Sequence, residues 1–167
     1  MDHLRELLES LTSHAVEFLV IGAHAVSFHG YTRATDDLHL WVGRDSANAD
    51  RLAAALEDFG APIGPNGAEE FTSQDRKMIR MGIPPTMVDI LNFAEGPTFE
   101  EAWQARSIGT WRGVQVPFLS RDHLVRMKRA TGRTQDLADL ERLEETIRLI
   151  KPEPRTSRSR TEPDPQG

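Results

Sequence analysis

A chain of 167 residues with ordinary apolar and charged fractions is long enough for one domain with its own core, which excludes wholesale disorder. It has no cysteine, so disulfides, thiolate catalysis and zinc–thiolate centres are excluded together. A net charge of −6 argues against non-specific coating of nucleic acid, although arginines and lysines gather between residues 121 and 133 and again after 150.

No apolar run approaches the length of a membrane span. The opening MDHLRELLES lacks the pattern of a secretory leader, so a cytoplasmic protein is expected. Asp2 is placed to cap a first helix in which Leu4, Leu7, Leu8 and Leu11 recur at helical spacing. The run Phe18, Leu19, Val20, Ile21 then predicts a buried strand that ends at Gly22. A short Ala-rich helical turn over 23–29 follows, with Gly30 as its stop.

The next stretch alternates, with Asp37, His39 and Trp41 on one side and Leu38, Leu40 and Val42 on the other. Period-two alternation predicts a strand with one buried face, and it sets Asp37 and His39 side by side near the glycine turn. Asp45 or Ser46 caps a helix with Leu52, Leu56 and Phe59 as its stripe and Gly60 as its stop. Residues 61–70, with two prolines and two glycines, are expected to form a loop. Residues 77–81 and 86–93 predict two strands of a hairpin, whose connection through Pro84 and Pro85 is too long for a two-residue turn.

A short helix opens near Thr98 and runs through Phe99 and Trp103. Residues 107–111 and 114–118 predict a second hairpin around Arg112 and Gly113. Ser120 caps the next helix, with Asp122 in its first turn, and Gly132 breaks it. Thr134 caps the last, in which Leu137, Leu140, Leu143, Ile147 and Ile150 are expected to face inward. The fold class expected is α/β (α+β in stricter usage): a mixed, largely antiparallel sheet with flanking helices over residues 1–150. Residues 151–167 carry four prolines and no large apolar side chain, and are expected to be a disordered tail.

Three acidic or imidazole positions stand out. Asp37 is a metal ligand or a strand-end cap, and His39 a substitute ligand, the remnant of a lost site, or a general base. Asp89 sits inside an apolar strand, where an unpaired carboxylate is costly, so it is a ligand or the partner of Arg33, Lys77 or Arg80. Trp41 is expected in the core, and His29 as a tie within the turn. Lys128 and Arg133 line a phosphate site or form a solvated helix face paired with Asp136 and Asp139.

The stretch GAHAVSFHGYTRATDDLHLWV resembles the opening motif of minimal nucleotidyltransferases of the polymerase-β superfamily, with greatest similarity to the branch of AbiEii-type toxins. Val88, Asp89, Ile90 and Leu91 resemble that family's third-carboxylate strand, and KRATGRTQDLADL from Lys128 its Lys-x-x-x-Gly-Arg-x-x-Asp-x-x-Asp signature. The resemblance implies a nucleotidyltransferase-like fold that binds a nucleoside triphosphate with Mg²⁺ or Mn²⁺. It implies Asp37, His39 and Asp89 as catalytic and metal-binding positions, and Gly22, Ala23, Arg33, Lys128 and Arg133 as nucleotide contacts. Transfer to an RNA end or a protein hydroxyl, and a cognate antitoxin or other partner protein, are implied as well.

One departure bears on activity. His39 stands where the family's strand has its second aspartate, and imidazole nitrogen is a poor donor for Mg²⁺. Two readings therefore stay open: a transferase, or a catalytically inactive module that binds a nucleotide, an RNA or a partner as part of a toxin–antitoxin system.

Overall fold

The computed structural model describes residues 2–31, 34, 35 and 37–150, with the backbone alone at 146, 147, 149 and 150. Arg33 and the tail at 151–167 fall outside the described residues, as do the inward positions expected of Ile147 and Ile150.

Helix α1 (His3–Ser13) starts where the Asp2 carboxylate accepts the Arg5 amide hydrogen, and its four leucines are all buried. Strand β1 (Phe18–Ile21) is buried at every position and runs directly into α2 (Gly22–Phe28). Strand β2 (Asp37–Val42) carries the alternating segment, and α3 (Ser46–Phe59) is capped by the Asp45 side chain and stopped by left-handed Gly60. The buried Asn48 side chain pins the start of α3, accepting from the Glu17 amide and donating to the Glu17 and Gly43 carbonyls.

Where residues 61–70 were expected to be loop throughout, the last four belong to α4 (Gly67–Thr72). Buried Phe71 anchors this turn to the core, and glycine is needed at 67 because a Cβ there would lie 2.5 Å from Ile63. Strands β3 (Met78–Met81) and β4 (Met87–Leu91) form the first hairpin. Helix α5 (Phe99–Gln104) follows, closed by a reciprocal cap between Thr98 and Glu101. Strands β5 (Ser107–Trp111) and β6 (Val114–Phe118) form the second hairpin around Arg112 and Gly113, both at positive φ as a primed two-residue turn requires.

Helix α6 (Arg121–Thr131) is capped by Ser120 and ends at Gly132, and α7 (Thr134–Ile150) packs back on it. Leu140 and Leu143 are buried as expected, but Leu137 is 54 % exposed. It lies in the first turn of α7, ahead of the two buried leucines.

The six strands make one sheet in the order β3-β4-β2-β1-β6-β5. The β3/β4, β2/β1 and β6/β5 pairs are antiparallel, and the β4/β2 and β1/β6 pairs parallel. The expected mixed, largely antiparallel sheet is what forms. Met81 and Val88 line one cavity with Leu4, Leu7 and Phe59, which places α1 and the end of α3 on one sheet face. Arg80, Asp89, Asp37 and His39 are out of phase with those residues and take the other face, which carries the site. None of the described helices is long and apolar enough to cross a membrane.

Candidate nucleotide site

The site begins with a backbone constraint. The chain leaves β1 and enters α2 with no intervening loop, and Gly22 makes that turn at φ +68°. A Cβ here would lie 3.3 Å from Nδ1 of His39, the ladder partner of Ile21 in the adjacent strand. Glycine is therefore required both by the left-handed backbone and by the imidazole packed against it. The Nε2 atom of His29 bonds the Leu119 carbonyl at 2.7 Å, tying the end of α2 to the start of the α6 segment. Burial pushes the His29 imidazole below its ordinary pKa, with the Leu119 carbonyl opposing and Arg121 reinforcing that shift.

A cavity of about 300 Å³ opens at this turn. Ile21, Gly22 and Ala23 form one wall, Asp37 and His39 of β2 another, and Leu124, Met127, Lys128 and Thr131 of α6 a third. Arg133, Gln135 and Asp136 close it from the start of α7. The structure thus gathers Gly22, Ala23, Asp37, His39, Lys128 and Arg133 around one space, although they span more than a hundred residues of sequence. Trp41, on the same strand, is instead buried edge-on against Phe99.

Asp89 does not line the cavity. Because β4 runs parallel to β2, it lies opposite His39 and points to the same face, with Nε2 of His39 3.5 Å from its Oδ2. Its two oxygens are taken by Arg80, opposite it on β3: Nε donates to Oδ1 at 2.8 Å and Nη2 to Oδ2 at 2.9 Å. This bidentate hydrogen bonding holds the Asp89 carboxyl below the usual carboxylate range against the opposing effect of burial, helped by the charges of His39 and Arg80. Of the partners open to Asp89 from sequence, Arg80 pairs with it, Lys77 is not among its partners within the described residues, and Arg33 lies outside them. The signal was available in the hairpin register, since antiparallel pairing across the connection at 82–86 sets 80 opposite 89.

Lys128 departs more sharply from a solvated face. It is 5 % exposed, and its Nζ is 2.9 Å from both Asp136 and Asp139, the latter 1 % exposed. Thr131 donates a further hydrogen bond to Asp136. Burial pushes the Asp136 carboxyl up, but the bonds from Lys128 and Thr131 outweigh it and hold the group below the usual range. The ammonium that lines the cavity is thus already committed to two acids. Arg133 is far more open, 79 % exposed at the cavity rim and 3.5 Å from Asp136.

Asp37, His39 and Asp89 are expected as a metal set, and the structure places all three on one sheet face with Asp89 paired to Arg80. Both Asp89 oxygens face a guanidinium, and among the described residues no three His, Asp or Glu side chains could hold a metal ion together. Sequence reasoning missed Thr35, Leu124, Met127, Thr131 and Gln135 on the cavity wall. Nothing distinguishes such residues before the fold brings α6 over the glycine turn.

No family model matches the chain, and no curated protein matches its sequence at a significant level. Its fold is similar to that of antibiotic-resistance factor ANT(2'')-Ia, with a TM-score of 0.52 and 14% identity, covering 90% of this chain and 90% of that one. A candidate nucleotidyltransferase of Thermotoga maritima aligns with a TM-score of 0.49 and 14% identity over 88% of this chain and 89% of that one. The sheet order, the helices on it and the likeness to ANT(2'')-Ia establish that this chain has a nucleotidyltransferase-like fold.

Proposed function

We propose that the chain binds a nucleotide in the cavity at the Gly22 turn and acts as a binding module, without two-metal nucleotidyl transfer. The observation that carries this reading is the double hydrogen bond from Arg80 to Asp89. Two-metal transfer needs carboxylate oxygens free to bridge cations. Here both oxygens of the third carboxylate already accept from a permanent cation, and the second carboxylate is replaced by His39.

The cavity wall supports the binding half of the reading. Ile21, Leu124 and Met127 offer an apolar surface for a base and ribose, while Gly22, Ala23 and Arg133 offer donors for phosphate. Its volume is within the range of small-molecule pockets. Calorimetric titration with ATP, CTP, GTP and UTP, each with EDTA, Mg²⁺ or Mn²⁺, tests it. At least one nucleotide is expected to bind saturably in EDTA. Failure of all four in EDTA would overturn the reading.

A second reading has one observation in its favour. Asp37 faces the cavity, and among the described residues its carboxylate accepts no hydrogen bond. In that reading the chain is a toxin-type transferase, in which Asp37, His39 and Asp89 work with Mg²⁺ or Mn²⁺ on a nucleoside triphosphate. The acceptor is an RNA end or a protein hydroxyl, and a cognate antitoxin restrains it. Arg33 would add a phosphate contact. Transfer of label from an α-labelled nucleotide, abolished by Asp37→Ala, would establish it over the first.

A further inference from the structure

At the height of the glycine turn, Arg80, Asp89 and His39 form one row across β3, β4 and β2 as direct ladder partners. Asp89 is 3 % exposed, and a carboxylate so deep needs a partner that balances its charge and fills its lone pairs. Arg80 balances the charge and donates one hydrogen bond to each oxygen from the sheet edge, where its own side chain is about half exposed. It carries the influence of two acids, for the negative charges of Asp89 and of Asp37 both act on its guanidinium. Arg80 thus already supplies at Asp89 the positive charge that a divalent ion would otherwise bring, and the charge of Asp37 acts on it more weakly. A guanidinium also keeps its proton at every working pH, so acid–base change does not move it aside.

We propose that Arg80 is a resident cation of this site: it excludes divalent metal from the sheet face that carries Asp37 and Asp89, and restoring an acid at position 39 is not enough to admit a metal while Arg80 is present. The proposal deepens the nucleotide-binding reading by assigning the residue that makes the site independent of metal. With Arg80 removed, Asp89 is left a buried carboxylate beside a solvent-open edge, with hard oxygen donors of the kind Mn²⁺ and Mg²⁺ accept.

The test uses Mn²⁺ alone on the full chain, so its failure is separable from failure of nucleotide binding. The parent protein and its His39→Asp, Arg80→Gln and Arg80→Gln/His39→Asp variants are titrated, with free Mn²⁺ followed by electron paramagnetic resonance and the melting temperature recorded. The parent and His39→Asp are expected to leave Mn²⁺ free and their melting temperatures unmoved. The double variant is expected to bind Mn²⁺ saturably and to melt several degrees higher with it, since a ligand that binds only the folded state stabilises it. Arg80→Gln alone is expected to respond in the same direction but more weakly. Saturable Mn²⁺ binding by the parent, or by His39→Asp as tightly as by the double variant, overturns the proposal. So does a double variant that ignores Mn²⁺, or that fails to fold even when refolded with it.

Discussion

Gly22 carries two constraints in one residue, and their sum can be measured. Its left-handed backbone disfavours any side chain, and His39 leaves a Cβ only 3.3 Å of clearance. Gly22→Ala is expected to destabilise the fold by about 2 kcal/mol in denaturant unfolding, the usual range for left-handed strain with some crowding added. A change below about 0.5 kcal/mol would mean that the turn relaxes easily and that its shape is not set by this residue. His39 was legible from sequence as a side chain on the site face, because strand alternation fixes direction. Its closeness to the glycine turn was expected too; what alternation could not give was the contact with Asp89 across the neighbouring strand.

At the scale of elements, the α6–α7 corner is held by charge inside an otherwise apolar contact. Lys128→Met removes the cation that Asp136 and Asp139 share, at a cost on the order of 3 kcal/mol for breaking a buried ion group. Urea unfolding of the variant checks it, and a loss under about 1 kcal/mol would show the group to be well solvated. The depressed Asp136 pKa sets a pH dependence. A carboxyl held lower in the folded than in the unfolded state contributes fully above its ordinary value of about 3.9. That contribution disappears as pH falls through the folded value. The stability difference between the parent and Asp136→Asn should therefore be constant from neutral pH down to about 5 and shrink below it. Leu137 supplies the contrast: 54 % exposed, it should tolerate Leu137→Ser within about 0.5 kcal/mol in the same experiment.

These elements also show where sequence reasoning stopped. The bounds of β1, β2, β5, β6 and α6 follow from short apolar runs, strict alternation and side-chain caps, all of them local signals. Helix α4 was hidden because Pro62, Gly64, Pro65 and Gly67 outweigh a single buried Phe71 in any local count. Leu137 misled because helical spacing gives an apolar stripe but not where its neighbouring helix ends. Lys128 was open from sequence as a phosphate contact or as a solvated partner of Asp136 and Asp139; the pairing forms, but buried where α7 packs on α6.

For the whole molecule, the decisive fact is strand order. Placing β1 and β2 at the centre of the sheet brings the Gly22 turn beside the Asp37–His39 strand, while parallel β4 sets Asp89 next to them. Helices α6 and α7 then close the space from the other side. A nucleotidyltransferase-like fold could be expected from three separated motifs, whereas the Arg80–Asp89 pair follows from the β3–β4 register, which composition and alternation alone do not give. The central claim, that this cavity takes a nucleotide without divalent metal, is tested most directly by amide chemical-shift mapping of the labelled chain. Millimolar ATP, CTP, GTP and UTP would each be added in EDTA and again in Mg²⁺. The account predicts saturable shifts at Gly22, Ala23, His39, Thr131 and Gln135 with at least one nucleotide, the same in EDTA as in Mg²⁺. Shifts confined to other regions, or seen only when Mg²⁺ is present, would contradict it.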